Sequence, residues 1–294
     1  PETEALSFLQ DYLLYFPTTE KYLAPGKQES RYGYPPFEYT DTYGLFVKEV
    51  SLGKLSSGVG KVKYIESPDA AASVDEMKFK ITFDPEDLTE VSIDFDHAIS
   101  GYNASYIHPF MNLVNDENKE EFYEEFIKRM GDDITIDSKE VFNEAAENFG
   151  KKPLRVKAVI SSSMFTDKAG PKYLFKLGEL IGPQVEMYQE KKRQLPVENL
   201  FRKTYLRTIE LTIPEGYTIA NLDDINISNR YEKDGKDVMN FISSYTKEGN
   251  KVIITANEIY DENILPVALY EEYRTVINSA ADFNKVTLIL EPSK

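Results

Sequence analysis

The sequence contains no cysteine and no tryptophan, and it has only two histidines among 294 residues. The absence of cysteine excludes disulfide bonds, thiolate metal sites and every cysteine nucleophile. With two histidines, the set of side chains that could act as a general base near neutral pH is also small. The composition therefore excludes several enzyme classes before any motif is considered.

Long hydrophobic runs are missing as well. The longest clean apolar run, from Tyr12 to Phe16, has the length of a short strand, whereas a membrane-spanning helix needs about 20 apolar residues. The chain begins with Pro1, and it shows no basic segment followed by an apolar leader. We therefore expect no membrane span, and we interpret the start as a cut made inside a longer protein.

What is present is enough apolar material for a large core. Apolar residues make up 41% of the chain and aromatic residues 13%, with 20 tyrosines and 17 phenylalanines. This composition excludes wholesale disorder, and the length allows one large domain or two ordinary ones. The 50 acidic residues outnumber the 34 basic ones, which gives a formal charge of -16. Such a charge repels phosphate backbones, so we expect no nucleic-acid partner.

The charge is unevenly distributed along the chain. Residues 151–207 carry 13 basic against 5 acidic residues, whereas the remainder carries 21 against 45. One explanation is internal complementarity, in which the basic stretch packs against acidic neighbours. The other is a docking face for an acidic partner or for a domain missing from this chain.

Alternation of apolar and polar residues predicts a mainly β fold. Residues 77–83 and 91–95 alternate around the turn residues 84–87, which is typical of a strand-turn-strand unit with one apolar face. We predict further strands at 12–16, 44–50, 61–65, 154–162, 172–177, 184–189, 207–213, 237–245, 251–260 and 285–290, with a four-residue hairpin loop at 247–250. Many strands and few long helices favour an antiparallel β-sandwich, jelly-roll-like, with a few packed α-helices.

Helical patterns occur in two places. Phe122, Phe126, Ile127 and Met130 form one stripe, with Asp116 as the predicted cap. A second, weaker helix is predicted at 138–149, so we expect a helical insertion at about 105–149. Pro266 marks the start of a C-terminal helix. We expect residues 1–43 to form a connecting segment and residues 44–294 to form the β-sandwich region.

A search for catalytic and metal-binding patterns finds none. The serine cluster 161–163 lacks the Gly-x-Ser-x-Gly spacing of serine hydrolases. Strand alternation places Asp94 and Asp96 on one face and His97 on the other, so the three do not converge on a metal. Residues 223–226 lack the glycine and the glutamate that a calcium loop requires. We predict no catalytic residues, no metal site and no cofactor.

Carbohydrate binding is the alternative that the aromatic residues suggest. Tyrosine rings can stack on sugar faces, although sugar-binding platforms usually include tryptophan. The ligand-binding candidates that look exposed in the sequence are Arg31, Tyr32, Tyr34 and Tyr102. A third class, a hydrolase built on scattered carboxylates, needs two acids about 5 to 10 Å apart. Among 50 acidic residues, such a pair occurs by chance.

Several stretches resemble a known family. They are 172–189 (KYLFKLGELIGPQVEMYQ), 205–217 (YLRTIELTIPEGY), 270–274 (YEEYR) and 284–291 (NKVTLILE). Together they resemble the C-terminal region of large bacterial transglutaminase-like proteins, exported multidomain proteins of unknown function. In that family a β-sandwich precedes a papain-type transglutaminase-like domain, and a jelly-roll-like sandwich ends the chain.

The likeness extends to residues 12–26, which are similar to the segment that leaves the catalytic-like domain. Such proteins often carry an Asp-Pro-Thr there, whose Asp completes a Cys-His-Asp triad. Phe16, Pro17 and Thr18 stand in that place here, so no catalytic residue can be transferred. The resemblance implies a missing upstream domain before residues 1–43.

These observations together predict a non-catalytic structural or interaction region. The resemblance implies a periplasmic or extracellular location. The expected partners are the protein's own upstream domains, a cell-envelope protein or a glycan. A carbohydrate-binding module that uses tyrosine platforms remains the alternative.

Overall fold

The computed structural model describes residue 9, residues 11–188 and residues 192–293. The strands are β1 (Leu14–Phe16), β2 (Lys21–Leu23), β3 (Thr42–Leu52), β4 (Leu55–Ile65), β5 (Val74–Phe83), β6 (Val91–Ile99), β7 (Thr135–Phe142), β8 (Leu154–Ser162), β9 (Thr166–Ala169), β10 (Lys172–Phe175), β11 (Val197–Glu198), β12 (Lys203–Thr212), β13 (Tyr217–Ile219), β14 (Ile227–Lys233), β15 (Lys236–Glu248), β16 (Lys251–Tyr260), β17 (Ile264–Leu265) and β18 (Leu288–Pro292). The α-helices are α1 (Asp116–Lys128) and α2 (Tyr270–Asn284). Neither helix has the length and apolar character needed to cross a bilayer, and the same holds for every other helix in the described part of the chain.

An eight-stranded sheet forms the body, in the order β14-β15-β16-β12-β5-β6-β8-β7. The described neighbours in this sheet pair antiparallel, except for β12 and β5, which run parallel from Thr204 opposite Val74 to Leu211 opposite Ile81. Alternation in β5, β6 and β8 buries one face of each strand and leaves most of the other face accessible to water. The predicted antiparallel pattern is therefore right for each half of the sheet, and the parallel pair joins the halves.

A second, four-stranded sheet has the order β13-β18-β10-β9 and packs against the buried face of the large sheet. Phe83 and Phe175 meet between the two sheets at a centroid distance of 5.3 Å. Helix α2 covers β14 and β15, where Phe241 contacts Phe283 at 5.9 Å. Helix α1 packs at the β8 end. This arrangement confirms the mainly β, sandwich-like fold.

Two predicted elements in the first half are wrong in detail. Residues 138–149 do not form a helix: 135–142 is strand β7, which pairs with β8, and only Ala146–Asn148 is a 3-10 turn. The edge of β8 would otherwise leave a row of unpaired backbone groups, which outweighs a weak helical pattern. The cap of α1 is Asn115, whose Oδ1 accepts from the Asn118 amide at 2.8 Å, and not Asp116.

The second half also departs from the expected elements. Residues 184–188 are irregular, and the Met187 amide donates to Asn278 Oδ1 at 2.7 Å instead of joining a sheet; residue 189 lies outside the described residues. The loop between β15 and β16 has two residues, because Gly249 adopts a φ of 61° that suits a tight hairpin. The sequence pattern does not predict strands β9, β11, β13, β14 and β17.

Candidate functional site

Charged side chains replace apolar ones at one end of the buried face of the large sheet. Asp75 is in phase with Met77 on β5, and His97 is in phase with Phe95 on β6. Arg207 occupies the equivalent phase on β12, so all three point into the core. Each of the three residues is less than 10% exposed. A polar cluster is therefore built into the interior.

The cluster is centred on the Asp75 carboxylate. Its Oδ1 atom lies 2.9 Å from His97 Nε2 and 3.0 Å from Arg207 Nη1. Arg129, which is partly exposed at the surface, places its Nη1 atom 3.8 Å from Asp75 Oδ2. Burial by itself raises the pKa of Asp75, but Arg207 and the hydrogen bond from His97 outweigh burial and hold that pKa well below its usual range. Asp75 is therefore a buried anion whose charge is balanced by Arg207 and Arg129.

His97 is held between this carboxylate and helix α1. Its ring stacks on Phe126 at a centroid distance of 4.2 Å and an interplanar angle of 10°. Burial lowers the pKa of His97 more than the Asp75 hydrogen bond raises it, so the imidazole is neutral and donates through Nε2. Nδ1, which would accept a proton from a nucleophile in a triad, is buried and has no hydrogen-bond partner among the residues that the structure describes. The hydrogen-bonded pair resembles two members of a triad, and in the described part of the chain no third member contacts it.

An aromatic enclosure lies beside the cluster, around the Lys203 ammonium. The Lys203 Nζ atom is 5.7 Å from the Phe201 and Tyr205 ring centroids and 5.9 Å from that of Tyr260. Burial lowers the pKa of Lys203 and raises that of Glu258, which accepts from the Tyr260 hydroxyl at 2.8 Å. Burial also raises the pKa of Tyr205 to about 12. The chain's own lysine fills the place that a cationic ligand takes in aromatic cages.

The tyrosines proposed for ligand binding are mostly inside the protein. Tyr102 is 2% exposed and donates to the Pro35 carbonyl at 2.7 Å, so its prediction as a surface residue is wrong. Tyr34 is half-buried between Tyr102 and Phe149 and donates to the Ala72 carbonyl at 3.2 Å. Neither ring presents a free face to a sugar.

Arg31 and Tyr32 lie in the same loop but differ in exposure. The Arg31 guanidinium donates to the carbonyls of Gln28, Ser30 and Ala146, which anchors the loop to the body. Tyr32 is 46% exposed and donates to Thr19 Oγ1 at 2.5 Å. Of the four candidate residues, only Tyr32 has the accessible ring that sugar stacking needs.

Among the described residues, part of the basic segment is paired within the chain. Six of its cations form ion pairs: Arg155 and Lys157 with Asp96, Lys172 with Glu291, Lys176 with Asp167, Arg202 with Asp41, and Arg207 with Asp75. This pairing fits the first explanation of the charge pattern, internal complementarity. A docking face formed by this segment stays a prediction.

The acidic residues considered for metal binding are dispersed. Asp94 and Asp96 lie on the wet face of β6, and Asp96 forms a two-point contact with Arg155. Asp223 accepts from the Tyr245 hydroxyl at 3.1 Å. Across residues 11–188 and 192–293, no group of three or more His, Asp and Glu side chains is arranged to hold a metal ion.

Strands β3 and β4 form a long hairpin that is nearly all exposed. At about 3.4 Å per residue, its 11-residue strands span roughly 35 Å. Its base is fixed by Asp41, whose Oδ1 accepts from Arg202 at 3.3 Å and from the Ser67 amide at 3.2 Å. Three or more strands are usually needed for a stable free sheet, so this hairpin is a candidate contact element.

Apolar side chains form two separate patches on the hairpin. The proximal patch, on one face near the base, consists of Tyr43, Leu45, Val47, Val62 and Tyr64, which are 42% to 68% exposed. The distal patch, on the opposite face near the tip, consists of Val50, Leu52, Leu55 and Val59, which are 47% to 81% exposed. Contiguous exposed apolar side chains of this kind mark interaction surfaces.

Comparison with known families finds one match. Residues 177–290 match the model of DUF3858, a domain of unknown function with a solved structure. The match covers less than half of the chain and includes β12, β14, β15 and β16, which form one half of the large sheet. No curated protein and no solved structure matches the chain. The matched range overlaps the stretches that carry the family resemblance, and it is consistent with a C-terminal domain of unknown function.

Proposed function

We propose that this chain is the non-catalytic C-terminal region of an exported transglutaminase-like protein and that it holds the upstream domain against its own body. The match to a domain of unknown function over 177–290 agrees with such a region in general terms. The cysteine-free composition agrees with the absence of the nucleophile from this part of the protein.

The observation that carries the proposal is the attachment of the connecting segment. Phe37 packs against Tyr102 at 5.9 Å and against Phe201 at 5.6 Å. Tyr34 extends the same aromatic cluster to Phe149. Such ring contacts contribute beyond their buried area. A segment fixed in this way holds a preceding domain at a defined position relative to the body.

The proximal patch provides the surface that the upstream domain covers in this proposal. Strands β1 and β2 pack on the other face of the hairpin, where Tyr15 and Tyr22 contact Phe46 at 5.1 and 6.2 Å. A domain that precedes residue 11 is therefore tethered beside the hairpin base. Covering the proximal patch would remove its exposed apolar area from water.

The test supplies the upstream domain in trans and measures binding by calorimetry across salt concentrations. We expect binding that weakens at least tenfold in a Val47→Ser/Val62→Ser variant, since two apolar contacts are lost. Leu52→Ser/Leu55→Ser in the distal patch is the matched control and leaves binding unchanged. Absence of any interaction at low salt overturns the proposal.

A further inference from the structure

The distal half of the hairpin is amphipathic in a way that its proximal half is not. Val50, Leu52, Leu55 and Val59 share one face, and Leu52 and Leu55 are 81% and 75% exposed. The opposite face carries Glu49, Ser51, Ser56 and Gly58, and the Ser56 hydroxyl donates to the Glu49 carboxylate. One face of the tip is therefore apolar and the other is polar.

Lysines bracket the apolar side chains. Lys48 lies opposite Val59, and Lys61 lies opposite Phe46, so both share the face of the distal patch on its base side. Lys54 lies in the tip loop on the other side. Residues 42–65 contain four lysines and one acid within a chain of net charge -16. The hairpin is thus a local cationic element on an acidic protein.

We infer that the distal patch binds an anionic lipid surface, with the four apolar side chains at the headgroup boundary and the lysines at the phosphates. An apolar face beside lysines is the pattern by which amphipathic elements lie in the interface plane, about 5–10 Å deep. Juxtamembrane lysines are attracted to anionic lipids. The inference is independent of the proposed function, which uses the opposite face of the hairpin.

The shape of the hairpin favours lipid over a protein partner. At the tip, which lies away from the body, two strands about 5 Å apart offer only a narrow strip, whereas a specific protein interface needs about 800 Å² on each side. The proximal patch differs because it lies at the base, where Asp41 is bonded to Arg202 and the body adds contact area. A fluid interface needs no matching shape. Unpaired strand edges are not tolerated in hydrocarbon, so the strip rests in the polar boundary and does not cross the bilayer.

Vesicle co-sedimentation of the whole chain tests the inference. We expect binding to vesicles of phosphatidylcholine with phosphatidylglycerol, weaker binding in high salt, and little binding to pure phosphatidylcholine. Leu52→Ser/Leu55→Ser lowers the partition coefficient about tenfold or more. Lys48→Gln/Lys61→Gln lowers it about 25-fold at low salt, since each lysine near the surface contributes about fivefold.

Val47→Ser/Val62→Ser, on the opposite face, is the control that leaves vesicle binding unchanged. Equal binding to neutral and anionic vesicles, no binding at all, or binding that survives the two leucine substitutions overturns the inference. Concentration-dependent self-association that the leucine variant abolishes, without vesicle binding, assigns the patch to a second copy of this chain and also overturns it. Circular dichroism of each variant shows whether the fold is retained.

Discussion

The Arg207 guanidinium bonds twice to Asp75, at 3.0 Å to the carboxylate and at 2.6 Å to the backbone carbonyl. These bonds cross from β12 to β5, the parallel pair that joins the two halves of the large sheet. Arg207 lies inside the matched domain and Asp75 lies outside it. The buried ion pair therefore connects the domain to the rest of the chain.

Removing the charge of Asp75 tests this connection. Asp75→Asn leaves Arg207, 8% exposed, without its counter-charge. Breaking a buried pair in this way costs about 3–5 kcal/mol, so we expect the free energy of unfolding in urea to fall by that amount. Asp94→Asn, on the wet face of β6 with a 62% exposed side chain, is the control. We expect a change within about 0.5 kcal/mol for the control. Similar losses in both variants contradict the prediction.

The sequence contains a signal for the burial of the three residues of this cluster. Asp75, His97 and Arg207 each continue the phase of buried apolar residues, so alternation alone places them inside. What alternation cannot show is which strands are neighbours. The contact between positions 75 and 207 depends on a parallel pairing across most of the chain, so the polar residues could not be joined into one cluster from the sequence.

The cluster also predicts a pH dependence. Burial lowers the pKa of His97 in the folded protein below the unfolded value of about 6.5. Between these two values the unfolded chain binds more protons, so stability is complete above pH 6.5 and falls as the pH decreases. Asp75, Arg129 and Arg207 are the charged groups that face the ring.

We therefore expect unfolding free energies, measured in urea from pH 7.5 to 5, to decrease less steeply for His97→Gln than for the unaltered chain. The difference in slope is at most about 1.4 kcal/mol per pH unit. His108, whose pKa is also lowered by burial, and Glu258, whose pKa is raised by burial, contribute equally to both curves and cancel in the difference. A constant difference across the range contradicts the assignment.

Tyr102 provides a test of the aromatic attachment of residues 1–43. Replacing it with alanine removes a ring that contacts Tyr34, Phe37 and Phe201. We expect a loss of about 3–5 kcal/mol and faster proteolysis within residues 24–40. Tyr188→Ala, where the ring is 87% exposed, is the matched control and stays within about 0.5 kcal/mol. Unchanged proteolysis in Tyr102→Ala would show that other contacts hold the segment.

The error about Tyr102 has a physical cause. Its neighbours Gly101 and Asn103 are small or polar, which favours a surface loop. The loop is instead drawn inward, because a Cβ on Gly101 would lie 2.1 Å from the Ala72 carbonyl and only glycine permits the approach. The ring then reaches the core from a short 3-10 helix, Gly101–Ala104. Hydrophobic periodicity cannot predict burial in a segment of only four residues.

Gly178 provides a test of the close packing between residue 178 and the end of α2 within the matched domain. A Cβ there would lie 2.1 Å from the Phe283 carbonyl, at the end of α2. Its amide donates to the Val286 carbonyl at 3.0 Å, and its carbonyl accepts from Asn284 at 2.8 Å. Because the opposing atoms are backbone, we expect Gly178→Ala to cost about 3 kcal/mol, the upper end of the usual range for overpacking. Gly26→Ala, with no atom within 4 Å of the added Cβ, is the control. Equal urea midpoints for the two variants would mean that the end of α2 moves freely away from residue 178.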